Sequence, residues 1–482
     1  MKNKNKNKNN SSNKSIIVAI CCLMLAAVVC VAILVTLKND KTPSGSSETE
    51  ESVISEPVSV PEISEISEPE ALDKPEDIDE YTLSVKALKE NINNLKTSFA
   101  LGFDDESIEK FKELFGEETV MKLSSALVEG VVDSGNIYSK IGYTENALEL
   151  LLADENPRVK ILENSDDGNV ELVFVGDISF ADHQSVIIAY NNRNKGVDGI
   201  VDKKVLEIMR DADITMGNNE FTLSRRGAPV PNKKFTFRGD PDHVTIYGEM
   251  GMDIVGLANN HASDYGEDSL LDTIDTLDAY GMPHVGAGRN LKEAMDPFYF
   301  VINGQVYGYV AGSVIDMYST RTATETESGV YKMYDTDKMC DLIKTTSEKA
   351  DHVVVFAHWG VESTTDLTPG QKTMGKAFID AGADVVVGMH SHCMQGIEYY
   401  KDKLIVYSLG NFTFSSKNLT CAMLKAVFKP DGSIENTFYP MMQEGNFTYI
   451  NDGEKGKSQL ELLKSISINV NIADDFVVTP KK

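Results

Sequence analysis

Five short apolar runs of this chain each lead directly into residues able to bind a cation or move a proton. Asp177 follows "ELVFVG", Glu220 follows "ADITMGNN", and Asn259, Asn260 and His261 follow "DIVGLA". His358 closes "HVVVFAH", while His390 and His392 come after "DVVVGM". Carboxylate, amide oxygen and neutral imidazole are the donors that zinc, manganese or iron accept, and one carboxylate can bridge two neighbouring ions. A single histidine after a strand is as readily a hydrogen-bonded structural residue. Four of the chain's eight histidines in that position, His261, His358, His390 and His392, make a common site the better reading.

Such a set works only if several elements bring it to one place. The apolar runs are short and β-rich, and between them "VDKKVLEIMRDA", "DPDHVTIYGEMG", "DSLLDTIDTLDAYG" and "GQKTMGKAFIDAGA" carry helical spacing. Gly251 and Gly281 stand where helix-closing glycines belong. In "FYFVINGQVYGYVAG" the Asn303-Gly304 pair is a strong hairpin signal. Alternating strands and helices predict an α/β layered structure. Ligand sites of open α/β sheets gather at the carboxyl ends of the strands, which is where all of these residues fall.

The chain holds 482 residues, 41% of them hydrophobic, enough for a large core and more than one domain. We read residues 1–15 as a basic cytoplasmic segment and residues 16–37, "IIVAICCLMLAAVVCVAILVTL", as a transmembrane helix. That run is uncharged and would span about 33 Å as a helix. Five lysines precede it, which predicts a cytoplasmic N-terminus and an extracytoplasmic remainder. Residues 38–80 are Ser-, Glu- and Pro-rich and read as a disordered spacer. Residues 81–165 carry helical spacing without chemistry, 170–450 hold the site-bearing domain, and 451–482 form a C-terminal segment with a candidate helix. A formal charge of -28 argues against nucleic acid as a partner. Outside the apolar run only Cys340, Cys393 and Cys421 remain, so no disulfide framework is expected.

The stretches "GDIS", "NNE", "LANNHASDYG", "AHWGVE", "GMHSHCMQGIEYY" and "IVYSLGNFTF" together resemble the CapA family of poly-γ-glutamate capsule biosynthesis proteins, in order from about Val173 to Phe414. That family is similar to calcineurin-like metallophosphoesterases, and the resemblance implies a four-layer sandwich of two packed β-sheets flanked by helices. It also implies a divalent metal cofactor, one or two ions of manganese, iron or zinc. By the resemblance Asp177 would be the first-strand metal carboxylate and Glu220 the bridging one. Asn260, His358 and His390 would serve the second metal and His392 the first. His261 would be the catalytic imidazole that gives a proton to the leaving group.

Ser179 stands where the phosphoesterase pattern has a histidine, leaving Asp182 or His183 to fill in or one metal to bind firmly. Ser391 replaces a usual proline, and Asn219 a usual apolar residue. Asn259, Glu362, Arg238 and Asn411 are candidates for holding the ligands or the substrate. Asp264 and Gly266 read as ordering a turn, and Ser408 as framing the site. Arg225, Arg226, Lys233, Lys234 and Arg238 crowd one loop near the expected metal edge, where they would attract a polyanion. The resemblance therefore implies a membrane-anchored protein acting on an anionic capsule polymer, poly-γ-glutamate in the family, through a hydrolase-type metal site. The alternative is a non-catalytic polymer-binding subunit of a membrane capsule synthetase complex.

Overall fold

The computed structural model describes residues 157–481 except 163, 164, 166, 316–318 and 415–417, together with 144, 146, 147 and 150. The expected membrane span, the spacer and nearly all of the helical segment lie outside the described residues. Among the described residues no helix is long and apolar enough to cross a membrane.

Five strands carry the predicted site, numbered here β1 (Val170–Ile178), β2 (Ile214–Asn219), β3 (Ile254–Gly256), β4 (His352–His358) and β5 (Val385–Met389). β1, β2 and β3 lie side by side and parallel in a ten-stranded sheet. β4 and β5 are parallel neighbours in a seven-stranded sheet. They read as nearly unbroken apolar runs because both faces are covered. In β1 the alternation of side chains sends Leu172 and Phe174 to one face and Val173 and Val175 to the other.

The two sheets pack face to face, Leu172, Phe174 and Met216 of one meeting Val354, Phe356 and Val387 of the other in a single buried cluster. Behind the first sheet, Val173 and Val175 pack against Val205 and Leu206 of helix Lys203–Asp211 and Ile274 of helix Glu267–Tyr280. Behind the second, Val355 and Val386 pack against Ile343 of helix Thr336–Ser347 and Phe378 of helix Pro369–Asp380. Helix, sheet, sheet, helix is the layering that the family resemblance implies.

Local signals explain the connections. Gly251 (φ 76°) and Gly281 (φ 79°) end helices Thr245–Met250 and Glu267–Tyr280 in the left-handed region, as read from the sequence. Asn303 and Gly304, with φ 49° and 69°, join antiparallel strands Phe298–Ile302 and Gln305–Ser313, the two positive φ values a type I′ turn demands. Thr368 and Gln371 form a capping box with Pro369 in the first turn of the β4–β5 crossover helix. The long antiparallel pair Leu419–Phe428 and Ile434–Glu444 was not among the expected strands, although an Asp431-Gly432 turn signal lies between them. Helix Glu454–Ile466 adds Leu460 and Leu463 to the core between the sheets.

Candidate metal centre

Each candidate ligand stands at or just beyond a strand's carboxyl end. At the end of β1, Asp177 is wholly buried and donates its backbone N–H to the Gly410 carbonyl at 2.9 Å. A Cβ on Gly176 would lie 1.8 Å from that carbonyl oxygen, so glycine is what lets strand Asn411–Thr413 close against β1, Asn411 opposite Asp177. Glu220 directly follows β2, Asn259 to His261 follow β3, His358 ends β4, and His390 follows β5.

These residues meet in two triads. Glu220, His358 and His390 form one, and Asp177, Glu220 and His392 the other, with the potential ligand atoms of each triad within 4.8 Å of one another. Glu220 belongs to both. His358 Nε2 lies 2.7 Å from Asn260 Oδ1 and 3.1 Å from His390 Nδ1. His392 Nδ1 is 2.7 Å from Asn411 Oδ1 and 3.4 Å from Asp177 Oδ2. Asn259 donates to the Asn218 side chain at 3.0 Å and to the Asn219 carbonyl at 2.8 Å, tying the β3 turn to β2.

The donor set fits a divalent cation. Asp177 Oδ2 and Glu220 Oε1 are buried carboxylate oxygens without a hydrogen-bond partner, a costly arrangement unless a cation satisfies them. Burial, then the neighbouring Asp177, pushes the Glu220 carboxyl well above its ordinary range. Burial also holds His390 down to about 3 and His358 well below the ordinary imidazole value. Both rings are therefore neutral, with a lone pair to offer. His392 differs: burial works against its charge, but Asp177 outweighs it and raises the imidazole above its usual value. The backbone at this turn is strained, since His390 and His392 both have positive φ, 94° and 53°. Such conformations cost about 1–3 kcal/mol each and gather at functional sites. The Ser391 carbonyl between them accepts the Ser363 N–H at 2.8 Å, bracing this turn against the loop after β4.

His261 sits beside the triads, 5% exposed, with Nδ1 2.7 Å from Asp264 Oδ2 and its ring centroid 4.4 Å from that of Phe237. Burial lowers its pKa and outweighs the opposing hydrogen bond to Asp264. Asp264 thus does more than order the turn, because its carboxylate engages the imidazole. A second residue escaped the sequence reading: Asn218 donates to Asp177 Oδ1 at 2.8 Å and approaches Glu220 Oε2 at 3.3 Å. Its signal was the two-residue period of a strand, which puts Asn218 on the face of Glu220.

Other candidates are not brought in. Glu362 is exposed and makes none of the described hydrogen bonds to a site imidazole. Arg238 stacks on Tyr265 with its guanidinium carbon 4.1 Å from the ring centroid and donates to the Arg226 and Gly227 carbonyls. Arg225 pairs with Asp240 and Asp242, and Arg226 with Asp268 and Asp272, so local carboxylates answer much of this loop's charge. Ser179 is wholly buried. Asp182 and His183 are exposed and belong to neither triad, Asp182 accepting from the Asp240 N–H and His183 stacking on Phe237. Asn219 donates to the Phe221 carbonyl at 2.8 Å, and the Ser408 hydroxyl accepts the Gly410 N–H at 3.1 Å, both framing roles. A cavity of about 560 Å³ lies elsewhere, lined by Arg158, His284, Arg289 and Phe298 among others, and includes no residue of the triads.

The family described as bacterial capsule synthesis protein PGA_cap matches residues 171–416. The capsule biosynthesis protein CapA of Bacillus anthracis is 28% identical over 302 residues, covering 59% of this chain and 70% of that protein. The PGA biosynthesis protein CapA of Bacillus subtilis is 31% identical over 262 residues, covering 54% of this chain and 66% of that protein. A probable polyglutamine synthesis accessory protein of Mycobacterium tuberculosis is 28% identical over 208 residues, covering 41% of this chain and 55% of its own length. Among solved structures, the NAD nucleotidase of Haemophilus influenzae is similar at 11% identity and a TM-score of 0.36, over 64% of this chain and 57% of that one.

Proposed function

The chain belongs to the bacterial capsule synthesis protein PGA_cap family, and on that premise we propose that it acts on an anionic capsule polymer through a metal-dependent hydrolase-type site. The observation that carries this reading is the pair of triads sharing the buried Glu220, each with a carboxylate oxygen left without a hydrogen-bond partner. The polymer class is taken from the relatives, two of which are named for capsule or PGA biosynthesis. Attachment to the membrane through residues 16–37, with the domain outside, is part of the same proposal and rests on the uncharged run behind five lysines.

In this reading Asp177, Glu220, Asn260, His358, His390 and His392 would hold one or two divalent ions. When bound, such an ion polarises the attacked centre and lowers the pKa of water towards 7. The chain's own residues supply the rest. Asn218 and Asn411 hold Asp177 and His392 in orientation through their amides. Asp264 engages His261 at Nδ1, which orients the ring and leaves Nε2 as the nitrogen that would take up a proton and hand it to a departing group. Phe237 covers one face of that imidazole and limits water there.

The test is metal content per full-length chain by elemental analysis, beside a His390→Ala, His392→Ala double variant. About one or two equivalents in the parent and their loss in the variant are expected. A folded parent that takes up no manganese, iron or zinc would defeat the hydrolase reading and leave polymer binding within a synthetase complex as the function to pursue.

A further inference from the structure

The loop between strands Thr222–Leu223 and Arg238–Gly239 carries four basic residues, and one of them does not behave as a surface charge. Arg225, Arg226 and Lys234 are exposed. The Lys233 side chain is only 8% exposed, and its ammonium lies 2.8 Å from Asp264 Oδ1. It also donates to the main-chain carbonyl of Asn260. Asp264 is wholly buried, and its other oxygen accepts the Phe237 N–H at 2.6 Å and meets His261 Nδ1 at 2.7 Å. The Asp264 carbonyl accepts the Val230 N–H at 2.8 Å. One lysine thus joins the carboxylate that engages His261 to the backbone of the residue whose amide reaches His358.

We infer that Lys233 is a positioning residue for both halves of the centre: its ammonium clamps the Asp264 carboxylate to the Asn260 carbonyl and so fixes where His261 and the Asn260 amide point. The role in hydrolysis rests on the function proposed above; the clamp itself rests on geometry alone. Burial gives it force. A buried carboxylate needs a charged or hydrogen-bonded answer on each oxygen, and Lys233 answers the oxygen that His261 and Phe237 do not. The contact with Asp264 Oδ1 is an ion pair and that with the Asn260 carbonyl a hydrogen bond, and one ammonium makes both. The two contacts fall on the turn from Asn260 to Asp264, which directly follows the Leu257–Asn259 segment leading out of β3. That turn gains from the loop a rigidity its own short sequence does not provide.

The experiment uses the full-length chain labelled with ¹⁵N-histidine, where only eight imidazoles report. The parent should show a slowly exchanging, downfield His261 Nδ1 proton, the signature of its bond to Asp264. Lys233→Met should broaden or lose that signal and weaken metal binding at the His358 triad roughly tenfold or more, the range typical when an outer support of a ligand is removed. Lys234→Met, at the exposed neighbour, should leave both unchanged. Should Lys233→Met fail to fold, the Lys233→Met, Asp264→Asn double variant removes both charges of the pair. The clamp then predicts weakened metal binding in the double variant but not in Asp264→Asn alone, which keeps the Lys233 bond to the Asn260 carbonyl. A folded Lys233→Met chain with an unmoved His261 proton and undiminished metal affinity overturns the inference, as does a double variant that binds metal as Asp264→Asn does. If the parent binds no metal yet its His261 proton depends on Lys233, the clamp stands and the hydrolase reading falls. Metal present with the proton indifferent to Lys233 gives the reverse.

Discussion

His358 Nε2 stands 3.1 Å from His390 Nδ1, two buried imidazole nitrogens at the ends of adjacent parallel strands. Both rings are held neutral by burial, and His390 and His392 further disfavour a proton on His358, as His392 does on His390. Glu220 Oε1 lies 3.7 Å from the same His358 nitrogen. Such an arrangement is poor as a salt bridge, because neither ring carries charge, and good as a cation cradle, because the lone pairs and the carboxylate converge.

Glu220 belongs to both triads, so Glu220→Gln should cost both metal equivalents, while His358→Ala and His392→Ala should each cost one. The same change should stabilise the metal-free protein, by roughly 1–3 kcal/mol at pH 8, by replacing a buried carboxyl that folding keeps from ionising with an amide that has no charge to lose. The sign follows from the raised Glu220 pKa. The native state holds a proton that the unfolded chain has already lost, so parent stability rises as pH falls through the folded pKa towards about 4.5. The advantage of the variant should shrink over the same window. Denaturant melts at pH 8 and pH 5 check it, and a variant less stable than the metal-free parent at pH 8 would count against an orphaned charge at this position.

His392 titrates above its usual value because Asp177 outweighs burial. Asp177→Asn removes the raising charge and keeps the burial, so His392 should move from above the ordinary imidazole pKa of about 6.5 to below it. Asn411→Ala should shift it in the same direction by less, since the amide contributes only one hydrogen bond. Histidine NMR titration of the metal-free variants reads both shifts. An unmoved His392 in Asp177→Asn would show that the 3.4 Å contact does not govern its charge.

Metal affinity should rise with pH. His392 keeps its proton above the ordinary imidazole value and Glu220 above the ordinary carboxyl value, so a cation at either must displace protons. His358 and His390 add nothing to this dependence near neutrality, being already neutral. Binding calorimetry in buffers of different ionisation enthalpy should therefore report proton release, greater at pH 6 than at pH 8. Affinity independent of pH across that range would contradict the assignment of Glu220 and His392 as ligands.

The site was legible in the sequence because strand ends deliver chemistry to one edge, and each of the five β-like runs formed the strand expected of it. Asp177, Glu220, Asn260, His358, His390 and His392 do come together. What sequence could not show is contact across elements. Asn218 belongs because its amide turns inward from β2, and Lys233 because its loop folds back 27 residues to reach Asn260. Glu362 matches the same motif as His358, yet its loop leaves it in solvent. The hairpin Leu419–Phe428 and Ile434–Glu444 escaped notice because pairing partners and not local pattern define such strands.

The close approach at Gly388 gives a test of how the fold holds His390. A Cβ there would lie 2.1 Å from the Tyr407 carbonyl oxygen and 2.4 Å from Trp359 Nε1, so neighbours would have to move. Those two atoms are hydrogen-bonded to each other at 2.9 Å. Gly388→Ala should therefore break that bond and overpack β5, costing about 1–3 kcal/mol, and should displace His390 two residues on. Trp359 is the chain's only tryptophan, so its fluorescence reports the rupture directly. Gly432→Ala is the contrasting case: its φ of +80° strains any side chain, but no atom lies within 4 Å of the added carbon. It should cost roughly 1–2 kcal/mol from conformation alone and leave both Trp359 emission and metal content unchanged. If Gly388→Ala melted like Gly432→Ala and kept its metal, close packing behind β5 would not be what positions His390.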